Sequence, residues 1–135
     1  SFAPGQIRVV DYKTGKVLAD DEDITDGNAE DIARKIFEPD IADRPKIALQ
    51  FYMYDLLIRD CDVAKGRVIS NSVYSTAKLF KEAPKTVPMN MVFFEELSAR
   101  MAGMLEQIYD PAVPFRRTSD EKVCEYCDFK NICGR

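Results

Sequence analysis

"QIRVVDYK", residues 6–13, alternates apolar and polar side chains as a strand does when one of its faces is covered. Successive side chains of an extended chain point to opposite sides, so Ile7, Val9, Asp11 and Lys13 share one face. Thr14 and Gly15 then break the extended run. A buried strand that delivers a carboxylate and an ammonium to a single face must either pair them or use them. Alone, a strand-end Asp and Lys read as a solvated pair more often than as a site, so the choice rests on the rest of the chain.

Downstream, the acidic, turn-rich stretch 19–31 reads as a solvated loop, and a short helix is expected over roughly 29–37. Asp43 has the character of a helix N-cap, with Pro45 in the first turn. The helix it opens, "KIALQFYMYDLLIRD" (46–60), is apolar nearly all round and is therefore expected to be mostly buried. "GRVISNSVYS" (66–75) reads as a second strand, and "KLFKEAPKTVPM" (78–89) as a hairpin or edge segment. From Asn90 to Tyr109, Phe93, Phe94, Leu97, Met101, Met104, Leu105 and Ile108 recur at helical spacing, with Glu96 and Arg100 on the other face. After "DPAVP" (110–114) comes a cysteine-rich tail. No internal repeat or low-complexity segment interrupts this order, which predicts an α/β domain whose sheet is covered by at least two helices.

Composition narrows the chemistry. The 135 residues, 46% of them apolar, make one domain's worth of chain or less. No apolar stretch approaches the roughly 20 residues a membrane helix needs. The first residues, "SFAPGQ", carry no secretory signal, and a start without Met almost at a strand suggests a fragment of something longer. With 23 acidic against 19 basic residues the net charge is −4, which argues against nucleic-acid binding by overall charge but leaves room for a local basic patch. The chain has no histidine, which removes His-based general base catalysis, Cys-His dyads, Ser-His-Asp triads and Cys2His2 zinc sites. Chemistry must come from carboxylates, lysine, tyrosine, thiolates or a metal.

Cys124, Cys127 and Cys133 form a C-x2-C-x5-C array, so the tail holds all but one of the four cysteines. Without a secretory signal, disulfides are not expected. Thiolates at this spacing read as soft-metal ligands, for zinc or an iron–sulfur cluster, against the alternative of free thiols in a frayed terminus. Three ligands are one short of the usual set. Cys61, just past the long helix, reads as a small buried thiol. Gln50 and Tyr54 lie one helical turn apart on one face, and a glutamine inside "ALQFYMY" is costly unless its amide is satisfied. Either the backbone satisfies it or a site does.

Taken in order, D-x-K-T-G on a strand, Q-x3-Y on the next long helix and C-x2-C-x5-C at the end resemble the PD-(D/E)XK nucleases of the RecB/AddB type. The resemblance includes the iron–sulfur subgroup shared with CRISPR-associated four-cysteine nucleases. It runs from Gln6 to the last residue and is loosest in 17–44 and 76–115. It implies a restriction-endonuclease-like mixed sheet flanked by helices. Residues 1–135 would be the C-terminal portion of that domain, with 118–135 as its Cys-rich tail.

The activity so implied is metal-dependent DNA phosphodiester cleavage. By the family's pattern Asp11 ligates Mg2+ (or Mn2+), with the Tyr12 carbonyl a further ligand, and Lys13 positions or helps deprotonate the attacking water. Gln50 and Tyr54 buttress the site and reach the DNA backbone, while Cys124, Cys127 and Cys133 supply three ligands of a 4Fe–4S cluster. The implied partners are DNA and a helicase domain or subunit acting in double-strand break repair, in the cytoplasm and without a membrane. Two departures matter. The family's upstream aspartate and its first cluster cysteine both precede the D-x-K strand, and neither has a counterpart in residues 1–10. Both sites are therefore expected to be incomplete and the fragment inactive by itself. The alternative is a metal-stapled DNA-binding or structural module that does not cut.

Overall fold

Strand β1 spans Gln6–Lys13, the bounds its alternation predicts. The computed structural model describes residues 4–14, 23–38, 44–77, 81 and 83–135. β1 pairs in parallel with β2 (Val68–Ser75), in register from Gln6↔Val68 to Lys13↔Ser75. The short β3 (Thr86–Pro88) lies antiparallel on the other edge of β2, with Val87 opposite Asn71. The described sheet is thus mixed, in the order β1-β2-β3. A parallel pair cannot be closed by a tight turn, and the connection carries two helices, α1 (Ala29–Phe37) and α2 (Lys46–Ile58). A third, α3 (Met91–Tyr109), follows β3. The α/β class and the mixed sheet flanked by helices are those expected from the sequence.

Local chemistry explains the helix ends. Asn28 accepts from Thr25 N–H (2.7 Å) and donates to the Asp23 carbonyl (2.6 Å), which shapes the turn before α1. Glu30 and Asp31 sit in its first turn, with Arg34 and Lys35 in its last, the arrangement that complements the helix dipole. Asn90 caps α3 by accepting from Phe93 N–H (2.8 Å), while its amide donates to Asp26 (2.7 Å) and ties the 23–28 turn to the helix. The Glu96–Arg100 pair expected on the outer face of α3 forms at 2.7 Å. Pro45 occupies the cap position of α2 rather than its first turn. Asp43 lies outside the described residues.

The core has α2 at its centre. Ile47 and Phe51 pack onto Val73 and Val87 of the sheet, while Ala48 and Tyr52 pack against α1 and α3 through Ile32, Ala33, Ile36, Phe93, Phe94 and Leu97. The Tyr52 ring lies 5.0 Å from that of Phe94. Ser98 donates to the Phe94 carbonyl (2.7 Å), so the Tyr52 hydroxyl is the donor to Ser98 Oγ (3.1 Å).

Several expectations need correction. Contacts on two sides leave α2 a third, and Met53, Leu56 and Leu57 stand exposed there. Cys61 is exposed, not buried, because the chain has already turned away from the core. Its thiol donates to the Leu57 carbonyl (3.2 Å) ahead of a 3-10 turn at Asp62–Ala64. β1 is half-buried rather than buried, as befits an edge of the described sheet. β2 starts at Val68 and not Gly66, since Gly66 takes a left-handed φ of 69° that no strand accommodates. Beyond Tyr109 the described chain holds one short 3-10 element, Glu121–Cys124, and is exposed over most of its length. Among the described residues no helix is long and apolar enough to cross a membrane.

Candidate active site

The parallel register carries the face of β1 onto that of β2: Val9 lies beside Asn71, Asp11 beside Val73 and Lys13 beside Ser75. Val73 packs under α2, so Asp11 and Lys13 look toward that helix. Their side chains form an ion pair, Lys13 Nζ to Asp11 Oδ2 at 2.8 Å, and are 29% and 16% exposed. The contact is not aligned as a hydrogen bond, and Asp11 Oδ2 is otherwise buried without a hydrogen-bond partner. Tyr54 reaches the same place from α2. Burial, first, and then the negative charge of Asp11 and a hydrogen bond to it push the Tyr54 phenol above its ordinary range, while Lys13 pulls the other way. Asp11, Lys13 and Tyr54 therefore sense one another.

Gln50 lies one turn before Tyr54 on α2, half-buried, with its Oε1 buried and unpartnered. The backbone does not satisfy that oxygen, contrary to the simpler of the two sequence readings. The Tyr12 side chain goes to the opposite face, where its exposed ring lies 5.6 Å from Tyr74 and the Arg8 guanidinium sits 5.8 Å from the Tyr74 ring centroid. Its carbonyl goes elsewhere. Val68 N–H donates to the Gly5 carbonyl and Thr76 N–H to the Lys13 carbonyl, each at 2.9 Å. A parallel ladder alternates, so odd-numbered residues of β1 bond toward β2 and the Tyr12 carbonyl turns to the strand's other edge, where no described strand pairs. A buried carboxylate oxygen short of partners and a carbonyl at an unpaired edge are hard donors that fit Mg2+ or Mn2+, with water completing the shell.

Sequence reasoning missed Asp55. It is buried against the sheet, where Asn71 Nδ2 donates to its Oδ1 at 2.9 Å. Burial pushes its carboxyl up to about 6, the Asn71 bond opposing. The signal was present as one acid in an apolar helix and one amide in mid-strand, each needing a partner. Their pairing required the fold.

The tail does not assemble. Cys124 and Cys127 are partly buried and Cys133 is exposed. Arg135 donates to Cys124 Sγ (3.3 Å) and Arg117 to the Cys133 carbonyl (2.7 Å). Among the described residues no three Cys, Asp or Glu side chains converge as a metal-binding group.

In a comparison with known families, the model of the PD-(D/E)XK nuclease superfamily matches residues 2–134. No curated protein and no solved structure matches.

Proposed function

The chain belongs to the PD-(D/E)XK nuclease superfamily, and from that premise we propose that it is the C-terminal part of a RecB/AddB-type DNA nuclease domain. The observation that carries the reading is the Asp11–Lys13 pair on one sheet face with Tyr54 held against it from α2. Asp11 and the Tyr12 carbonyl are the residues that would hold a divalent cation, which supplies Lewis acidity at the scissile phosphate and an acidified water. Lys13, whose ammonium already offsets the Asp11 charge, orients the nucleophilic water and offsets negative charge developing on the phosphate. Tyr54 and Gln50 brace Asp11 and offer hydroxyl and amide groups to the DNA backbone. Cys124, Cys127 and Cys133 provide three thiolates to a 4Fe–4S cluster completed from outside these residues. A helicase domain or subunit of the same assembly would feed DNA ends to the site during break repair.

The test is cleavage of single- and double-stranded DNA with Mg2+ or Mn2+. The 135-residue chain should cut poorly, because the upstream aspartate by which the family completes the metal site has no counterpart in residues 1–10. In the longer protein carrying this domain, Lys13→Ala should lower cutting by roughly two to three orders of magnitude, with Asp11→Ala at least as severe and helicase activity retained. Cutting that survives both substitutions would sink the reading. DNA binding without cutting by that longer protein would point to the non-catalytic module instead.

A further inference from the structure

Asp55 has no part in the chemistry above, yet it is among the most completely enclosed polar groups of the chain. It is 5% exposed and Asn71 1%. One bond joins them, Asn71 Nδ2–H to Asp55 Oδ1 at 2.9 Å. The other end of the amide, Asn71 Oδ1, is buried and unpartnered. An ionised carboxylate cannot repair that, having no hydrogen to give. A carboxylic acid can: its O–H donates to the amide oxygen while its second oxygen accepts from the amide N–H.

We propose that Asp55, in its protonated form, closes a two-bond ring with Asn71, a proton-dependent pin that fixes α2 on β2 and so positions Tyr54 beside Asp11. Among the described residues the surroundings offer no competing charge. On the same face of β2, Asn71 is flanked by Ile69 and Val73, and its neighbours on β1 and β3 are Val9 and Val87. The charges further along β1, Asp11 and Lys13, are paired with each other. On α2 itself the neighbour is Tyr54. Arg59 touches the Asp55 backbone carbonyl through its own N–H and sets its guanidinium 4.6 Å from the Phe94 ring centroid. Among the described residues no cation pairs with the Asp55 carboxyl, so burial alone favours its neutral form. Asp55 adjoins Tyr54 in sequence, and fixing one against the sheet limits where the other can point. Asp55 is thus a positioning residue, and only this last consequence rests on the nuclease reading.

The experiment is an NMR titration of the folded chain, following the Asp55 carboxyl carbon, the Asn71 side-chain amide and the Tyr54 ring. The Asp55 and Asn71 signals should move together with one midpoint near the value of about 6 that burial gives the acid. Asp55→Asn should retain the fold and abolish the Asn71 titration. In Asp55→Ala the Tyr54 ring should lose its nuclear Overhauser contacts with Asp11, with Asp55→Asn restoring the wild-type pattern. An Asp55 carboxyl that titrates near 4, like an exposed one, or an Asn71 amide that does not follow it, would overturn the pin. Tyr54 ring contacts that are identical in wild type and Asp55→Ala would overturn the positioning role. The wild-type titration decides the pin even if Asp55→Ala fails to fold. None of these signals depends on DNA cleavage, so a longer protein that does not cut, beside a titrating pin, refutes the nuclease reading alone.

Discussion

Both the sheet with α2 and the tail beyond Tyr109 carry large apolar side chains, and they treat them in opposite ways. In the first, Ile47, Phe51, Val73 and Val87 close over one another and bring Asp11, Lys13 and Tyr54 together as a by-product of packing. In the second, Phe115, Tyr126, Phe129 and Ile132 stand in solvent, and the local order comes from turns and a few arginine bonds. Apolar burial organises the first region without help. The second has no enclosed face of its own, so whatever orders it further has to be bound: a metal held by its thiolates, or a surface outside these residues.

The steepest contrast is between two phenylalanines. Phe51 is 2% exposed and Phe115 91%. Phe51→Ala should cost about 3–5 kcal/mol by transfer and cavity formation, enough to unfold much of a marginally stable domain. Phe115→Ala should stay within about 0.5 kcal/mol. Denaturant unfolding of both variants decides it. Equal losses would mean that the tail is packed after all.

The next effect belongs to the buried acid. The Asp55 carboxyl rises from 3.8 to about 6 on folding, so between those values the native state holds more proton than the unfolded chain. Its contribution to stability is therefore complete below about pH 4 and lost as pH climbs through 6, by roughly 3 kcal/mol at most. Against Asp55→Asn, wild type should lose ground steadily from pH 4 to 7 and then run parallel to it. A constant difference across that range would show that ionising Asp55 costs the fold nothing.

Capping gives a smaller comparison. Asn90 holds a helix end and the 23–28 turn together, and Asn90→Ala should cost about 1 kcal/mol. Asp120 caps the tail's 3-10 element through Lys122 N–H (3.0 Å), and Asp120→Ala should cost less because that element is one short turn with no buried residue. Thermal melts of the pair measure the ratio. A larger loss at Asp120 would contradict the picture of a tail that contributes little to stability.

What the sequence revealed follows the same division. β1 was readable to the residue because its alternation is local, and α1 takes the span of roughly 29–37 expected for it. The shared face of Asp11 and Lys13 was readable for the same reason, and the i,i+4 spacing of Gln50 and Tyr54 put them on one stripe. The exposed side of α2 was not, since an all-apolar helix carries no sign of which face finds a partner. Cys61 misled because the turn that removes it from the core starts only after Ile58. Asp55 stayed hidden because its partner is on β2, and the parallel register that brings Asn71 under α2 is a property of the whole fold.

The smallest effect on the metal-free chain, and the one that bears most on the tail, comes from its cysteines. Cys124 and Cys127 are only partly buried and Cys133 is exposed, so replacing any of them by serine should shift metal-free stability by no more than about 0.5 kcal/mol. The same substitutions should matter in the longer protein if a cluster organises this region. An all-cysteine 4Fe–4S cluster takes four thiolates, and the array Cys124, Cys127 and Cys133 supplies three. Purified without oxygen, the longer protein should be brown and contain iron that Cys127→Ser removes, whereas the 135-residue chain should hold little iron or take up zinc loosely. Iron analysis with absorbance in the thiolate-to-iron region separates these outcomes. Cys61 sharpens the comparison, because its exposed thiol is open to ligation in a way a core thiol is not. Stoichiometric iron in the 135-residue chain, lost on Cys61→Ser, would make Cys61 the fourth ligand and join the tail to the end of α2. An iron-free longer protein would remove the cluster and leave the tail's order to a partner surface.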